Sequence, residues 1–290
     1  MHSIISFPER GPWGRSSYRG NMSGFVMKEL IGHFSPKLVV DVCEGSGTSG
    51  DVCRELGIEY VGLDLHKGND FTRDSVLAQI PRPADLVFSH PPYHSMIQYS
   101  GNMYGKPMLN DTSRCPSVDD FLAMSEVMLL NQREATCEGG VYSSLIGDMR
   151  KNGMFRSFQA DFINMMPKDE LISVTIKQQH NCVSDGRMYS GSFIPIVHEY
   201  LLVWKRTAST LVYITMKKGK DLQKQIARTW RSAIRIAMMQ LNGKATLSDI
   251  YAQVEYIAGH LLENNKNWKA KVRQKLQKHH SHVERGIWSL

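Results

Sequence analysis

Leu38-Val39-Val40-Asp41-Val42-Cys43-Glu44-Gly45-Ser46-Gly47-Thr48-Ser49-Gly50 is an apolar run that breaks into a glycine-rich turn. The run has the length and make-up of a buried strand, and Gly50 to Leu56 after the turn reads as a short helix. Glycine stands where a backbone must approach a ligand closely or take a positive φ. The turn lacks the Gly-Lys-Ser/Thr ending of a phosphate loop, so no lysine is placed for a triphosphate. Gly45, Gly47 and Gly50 fall at intervals of two and three. Asp41, however, sets a carboxylate beside the turn, which suits an ammonium better than a pyrophosphate. A methionine-type cofactor fits that arrangement of charge.

Working outward, a second strand, Tyr60-Val61-Gly62-Leu63-Asp64, also ends in a carboxylate. An acidic residue at the tip of the second strand of an open α/β sheet is placed to take ribose hydroxyls; a helix cap or solvated turn is the plainer use of Asp64. Further on, His90-Pro91-Pro92-Tyr93 closes the apolar run Asp85-Leu86-Val87-Phe88-Ser89. Two prolines cannot continue a strand, because neither offers an N–H and the ring restricts the residue before it. The result is a rigid corner with outward carbonyls and an aromatic ring. Such a corner either stiffens a loop or holds a planar amino group, with carbonyl acceptors for its N–H bonds and a ring to stack on.

The segment Asp41-Val42-Cys43-Glu44-Gly45-Ser46-Gly47-Thr48 resembles the cofactor motif Asp-Pro-Phe-x-Gly-Ser-Gly-Thr of S-adenosylmethionine-dependent DNA amino-methyltransferases. His90-Pro91-Pro92-Tyr93, about fifty residues later, resembles their catalytic motif Asp/Asn/Ser-Pro-Pro-Tyr/Phe/Trp. The resemblance spans roughly residues 18 to 205. With the basic tail described below, it is similar to small adenine methyltransferases of Mu-like prophages with relaxed sequence preference. It implies S-adenosyl-L-methionine as cofactor, held by Asp41, Glu44, Gly45, Ser46, Gly47, Thr48, Asp64 and Asp70. It implies double-stranded DNA as substrate, with His90, Pro91, Pro92 and Tyr93 around an everted base and methyl transfer to adenine N6. N4-cytosine methylation, RNA or protein amide methylation, and DNA binding without catalysis are the alternatives, the basic tail favouring duplex DNA over RNA or protein. Two departures stand out. Val42-Cys43 replaces Pro-Phe, and His90 replaces a side chain that presents an oxygen. Neutral imidazole accepts one hydrogen bond and imidazolium none, so activity is expected to weaken as pH falls through an ordinary histidine pKa of about 6.5.

Composition agrees with this reading. At 290 residues the chain can hold one large α/β domain and a small second one. Cys43, Cys53, Cys115, Cys137 and Cys182 are scattered and odd in number, with no Cys-x-x-Cys pair. That argues against a disulfide scaffold or a zinc site and for a reducing cytoplasm, which the resemblance implies to be a bacterial or prophage-encoded setting. No apolar run has the length of a membrane span, and the start lacks a basic-then-apolar signal pattern. The formal charge is +7, but residues 217–290 hold 15 Lys/Arg against 5 Asp/Glu, while residues 1–216 hold 20 against 23. The positive charge belongs to one quarter of the chain, as in a separate module for phosphate backbones.

The expected organisation is thus a Rossmann-like, seven-stranded methyltransferase sheet over 1–216 and a basic winged-helix-like DNA-binding domain over 217–290. In the tail, Ile226, Trp230, Ile234, Met238 and Leu241 recur at helical spacing, with Arg228, Arg231 and Arg235 between them, Arg231 and Arg235 being expected to meet DNA, and Asn242-Gly243 as a stop. Thr246-Leu247-Ser248-Asp249 has the form of a capping box. Asn267 can cap a third helix bearing Lys269, Lys271, Arg273, Lys275 and Lys278, the helix that winged helices place in the major groove. Val283 to Trp288 reads as a hairpin turning at Gly286. His279-His280-x-His282 lacks a carboxylate or cysteine at ligand spacing, so it reads as a polar wing rather than a metal site.

Elsewhere, Asn21 to Phe34 predicts an amphipathic helix. The resemblance makes Arg19 and Asn21 candidates for the methionine carboxylate, although N-capping is the ordinary use of Asn21. Residues 94–116 have no period and predict a mobile loop over the site. Ser117-Val118-Asp119-Asp120 opens a helix to about Ala135, and Val141 to Asp148 is a strand ending in Gly147-Asp148. Phe155, Phe158, Phe162 and Met166 predict a helix, and Leu171 to Gln178 and Ile196 to Trp204 the last two strands. The polar loop 181–193 between those strands is expected to face DNA.

Overall fold

The computed structural model describes residues 1–180, 194–207, 230–262, 265–284 and 286–290. The expected boundary at 216/217, Ile226, Arg228, Cys182 and the 181–193 loop lie outside them. The chain divides into two compact units. Among the described residues, the first comprises 1–107, 111–114 and 124–207, and the second 108–110, 115–123 and 230 onward.

The first unit is built on a seven-stranded sheet: β1 (Ile4–Ser6), β2 (Leu38–Asp41), β3 (Glu59–Gly62), β4 (Ala84–Ser89), β5 (Thr136–Ile146), β8 (Leu171–Gln178) and β9 (His198–Lys205). Their order is β1-β8-β9-β5-β4-β2-β3. All neighbours pair in parallel except that β9 runs against both β5 and β8. This is the Rossmann-like α/β sheet the sequence predicts. Strand β1 was not foreseen, since three residues carry no period. The central runs of β2 and β4 are apolar because both faces of a central parallel strand are covered; Leu38, Val39, Val40, Leu86, Val87 and Phe88 are completely buried. On one face lie helices α1 (Gly24–Phe34) and α2 (Thr48–Leu56), whose Val26, Met27, Leu30, Val52 and Cys53 pack onto Val39, Leu86, Val141 and Val203. On the alternate register, Tyr142 and Trp204 stack with ring centroids 5.4 Å apart.

Three local expectations are corrected. Helix α1 begins at Gly24 after Ser23, so Asn21 is not its cap. Phe155 is not helical: β6 (Met149–Lys151) and β7 (Met154–Arg156) form a hairpin, and only α4 (Phe158–Met165), which follows it, buries its phenylalanines. Asn152 (φ 52°) and Gly153 (φ 77°) make the two-residue turn, for which Asn-Gly is the favoured pair. Finally, the 94–116 segment is organised by buried Asp111, which accepts from the backbone N–H and hydroxyl of both Ser100 and Ser113 at 2.6–2.8 Å. Helix α3 (Val118–Ala135) starts on the expected cap, Asp120 N–H donating to Ser117 Oγ at 3.1 Å.

The second unit runs α5 (Trp230–Gln240), β10 (Lys244–Thr246), α6 (Leu247–Leu262), α7 (Trp268–His279), β11 (Ser281–Glu284) and β12 (Ile287–Ser289), with the strands ordered β10-β12-β11, all antiparallel. Its core joins Ile234 and Met238 of α5, Ile250 and Val254 of α6, Val272 and Leu276 of α7, and Trp288. The capping box forms as expected, Thr246 Oγ1 meeting Asp249 Oδ2 at 2.6 Å and Asp249 N–H at 3.2 Å. Asn267 holds the N-cap position of α7 without a side-chain cap bond. No helix of the described residues is long and apolar enough to cross a membrane.

Candidate active site

Parallel pairing of β2 with β4 brings the glycine turn and the double-proline corner to one rim of the sheet. Asp41 pairs with Phe88, and the Val42 N–H donates to the Phe88 carbonyl at 3.0 Å. The order of strands reverses about β2, with β3 on one side and β4 on the other, and ligands of open α/β sheets bind outside the carboxyl ends of strands at such a switch point.

In the turn, Asp41 is 2% exposed; its oxygens accept from Cys43 N–H at 2.9 Å and Ser49 Oγ at 2.5 Å. Burial raises its carboxyl to about 7 against these bonds. Asp41 therefore braces the turn. Asp64 ties the turn to β3: Oδ2 accepts from Gly45 N–H at 2.8 Å, and Oδ1 from His66 N–H at 3.1 Å and the His66 ring at 2.7 Å. Burial opposes ionisation of Asp64, but these partners outweigh it and hold the carboxyl below its usual range. The helix-cap use of Asp64 is thus real, at the first turn after β3. Gly47 takes φ 88°, and no atom lies within 4 Å of where its Cβ would stand. The turn therefore presents bare backbone to open space. Glu44 pairs with Lys67. Asp70 is engaged in its own turn, accepting from Thr72 N–H at 2.9 Å and Thr72 Oγ1 at 2.6 Å.

The N-terminal segment lies on this turn. Arg15 N–H donates to Ser46 Oγ at 3.2 Å, Gly14 N–H to Asp51 Oδ2 at 2.9 Å, and Thr48 Oγ1 to Asn21 Oδ1. Arg19 and Asn21 line a cavity of about 1080 Å³ together with His90, Pro91, Tyr93, Gly147, Asp148, Lys177 and Glu199. The candidate cofactor-carboxylate residues and the catalytic corner therefore share one space.

Within it runs a chain of contacts that sequence reasoning missed. His90 Nε2 meets the Tyr93 hydroxyl at 2.8 Å, Tyr93 donates to Glu199 Oε1 at 2.8 Å, and Lys177 Nζ donates to Glu199 Oε2 at 2.7 Å. Burial, reinforced by Lys177 and opposed by Glu199, pushes the His90 imidazole down to about 4. This moves the histidine titration away from the ordinary value expected from sequence. Burial also opposes the Glu199 charge, but Lys177 and His90 hold its carboxyl well below the usual range. Gly147 lies against Tyr93; a Cβ there would stand 2.6 Å from the ring's Cε2.

In the second unit, Arg231, Lys269, Arg273 and Lys278 are exposed and Lys271 and Lys275 half-buried. Arg235, expected to meet DNA, is only 8% exposed: it pairs with Asp120 at 3.8 Å and donates to the Leu109 carbonyl at 3.4 Å. It is a core ion-pair residue, and its removal from the DNA set is a correction. Among the described residues no group of three or more His, Cys, Asp or Glu is placed to hold a metal.

No protein-family model and no curated protein matches the sequence. Among solved structures, the chain is similar to a candidate DNA modification methylase from Thermus thermophilus, at 18% identity over 49% of this chain and 52% of that one, with a TM-score of 0.34. The chain thus spans about half the length of that protein, which has also been solved complexed with S-adenosyl-L-methionine. It is similar to TehB from Haemophilus influenzae, at 12% identity over 63% and 62% of the two chains, TM-score 0.38. A SAM-dependent methyltransferase from Archaeoglobus fulgidus gives 10% identity over 63% of this chain and 92% of that one, TM-score 0.37.

Proposed function

We propose that this protein transfers a methyl group from S-adenosyl-L-methionine to the exocyclic N6 amino group of adenine in DNA, with the base everted into the cavity beside His90-Pro91-Pro92-Tyr93. The observation that carries the reading is the meeting of the glycine turn and the double-proline corner at the ends of adjacent parallel strands, joined by the 3.0 Å Val42–Phe88 bond.

The residues fit the cofactor. Bare backbone at Gly47 leaves room over the turn, Asp64 keeps a carboxylate beside it that would take ribose hydroxyls, and Arg19 and Asn21, which line the cavity, would hold the methionine carboxylate. When bound, the cofactor supplies an electrophilic sulfonium methyl. The rest falls to the chain. The adenine amine is a poor nucleophile because its lone pair is drawn into the ring, and acceptors for its N–H bonds help it toward sp³ geometry. The Pro91 carbonyl and His90 serve as those acceptors, and Tyr93 stacks on the base. The base must leave the duplex first, since its amine is otherwise paired. Alignment and exclusion of water then do most of the work.

The second unit has the helix, strand, helix, helix, hairpin order of a winged helix, and α7 carries the exposed cations Lys269, Arg273 and Lys278. We assign it to duplex DNA, with a short or relaxed site. Arg273→Ala should weaken DNA binding across sequences and lower the slope of log K against log salt by about 1, as read by anisotropy over a salt series. An unchanged slope would remove Arg273 from the interface.

Two further outcomes follow. Gly147→Ala should displace the Tyr93 ring and lower the single-turnover rate while leaving cofactor affinity unchanged, because the clash is with the ring and not with the glycine turn. Imidazole accepts only when neutral, so the ratio of wild-type to His90→Gln rates, which removes the titration of Asp41 near about 7, should stay level down to about pH 5 and fall only as pH nears about 4, rather than through about 6.5. A fall centred near the ordinary histidine value would show that His90 is not shielded as described. The reading as a whole is tested by incubating methyl-free DNA with the protein and S-adenosyl-L-methionine, then sequencing single molecules and analysing nucleosides. N6-methyladenine is expected. N4-methylcytosine would move the target, and unmodified DNA with bound cofactor would overturn the reading.

A further inference from the structure

We infer that Glu199 and Lys177 are positioning residues that lock His90 as its Nε2–H tautomer through the Tyr93 hydroxyl, leaving Nδ1 as the ring's one acceptor for the target amine. The inference rests on the methyl-transfer reading for its purpose, but its geometry stands apart from it. Tyr93 has one hydroxyl proton. The Glu199 carboxylate can only accept, so that proton points to Oε1, at 2.8 Å. The Tyr93 oxygen then meets His90 Nε2 with a lone pair, and the 2.8 Å contact forms only if Nε2 carries hydrogen. Neutral imidazole has a single N–H, so Nδ1 is bare.

Lys177 keeps the direction of this relay fixed. It occupies Oε2 at 2.7 Å and keeps the carboxylate ionised, and the two residues are direct cross-strand partners in the β8–β9 pair. Their side chains are 13% and 8% exposed, so water competes little for either end. Without the anion, the Tyr93 hydroxyl could equally turn toward Nε2, and the hydrogen would move to Nδ1. A residue that presents an oxygen, as the resembled family does, needs no such device. An imidazole does, because either nitrogen can carry the hydrogen.

The test is nitrogen NMR on protein labelled in histidine, with His90 assigned from His90→Gln. The wild-type protein should show Nε2 protonated and Nδ1 bare near neutral pH. Glu199→Gln and Tyr93→Phe should each give a mixed or reversed tautomer. In Glu199→Gln, kcat should drop about ten-fold, the worth of one correctly aimed hydrogen bond, with KM for the cofactor unchanged; Glu199→Asp should recover part of the loss. Hydrogen on Nδ1 in the wild type, or an unchanged wild-type tautomer in both variants, would overturn the inference. The spectrum reads the lock without turnover, so a wild-type protein that shows the lock but leaves DNA unmethylated would sink only the proposed reaction.

Discussion

Tyr93→Ala is expected to cut single-turnover methyl transfer to DNA by at least about 5- to 150-fold, corresponding to ~1–3 kcal/mol of base stacking. The loss should exceed that range, because the same ring anchors the hydroxyl that joins His90 to Glu199. Removing it leaves a buried carboxylate with one donor fewer, and an unmet buried group costs about 1–3 kcal/mol. Tyr93→Phe separates the two contributions, since it keeps the stacking face and loses only the link. Its rate should therefore fall between wild type and alanine. Cofactor affinity, measured by calorimetry, should change in neither variant. Should Tyr93→Ala methylate as fast as wild type, the base does not sit against this ring.

The largest stability effect is expected away from the site. Glu170 is completely buried, and its carboxylate accepts from Arg133 Nε at 2.8 Å and Nη2 at 2.6 Å, from the Tyr142 hydroxyl at 2.6 Å, and from Thr207 N–H and Oγ1 at 3.1 Å. Burial opposes the Glu170 charge, but Arg133 and its other partners hold the carboxyl below its usual range. Arg133→Met removes the compensating cation while leaving a carboxylate in a dry site. Breaking a buried pair from one side costs about 3–5 kcal/mol. Urea unfolding should show that loss as a lower midpoint, most of it recovered when Glu170→Gln is added. A midpoint within the error of wild type would mean that water reaches this pair.

The features legible in the sequence were those set by nearby residues. The apolar runs of β2 and β4, the caps at Ser117 and Thr246, the stop at Asn242-Gly243 and the turn at Gly286 each depend on a few adjacent positions. The site was legible as far as two local motifs could carry it. Glu199 was not, because it meets Tyr93 across 106 positions and only the strand order reveals their meeting. Lys177 is its partner across a strand pair and reads in sequence as one more exposed charge. Arg235 was misassigned for the opposite reason. A guanidinium between apolar helical positions looks the same whether solvent or Asp120 awaits it, and Asp120 is distant in sequence. The β6–β7 hairpin does carry a local signal, Asn152-Gly153, which the helix-like phenylalanine spacing running across it masks.

Strand β9 alone runs against its neighbours, and this sets how Glu199 reaches the site. In a sheet whose strands all ran one way, only strand exits would reach the rim where the double-proline corner lies. The reversed strand delivers an entrance instead: Tyr200 is opposite Ile146, and Glu199 opposite Lys177. Side chains alternate along a strand, so deleting Tyr200 would swing Glu199 to the far face and bring His198 into its place. The polarity of a single strand thus decides whether the imidazole has an anchor, and an engineer reshaping this protein could alter the β3 edge far more freely than the β8–β9 pair.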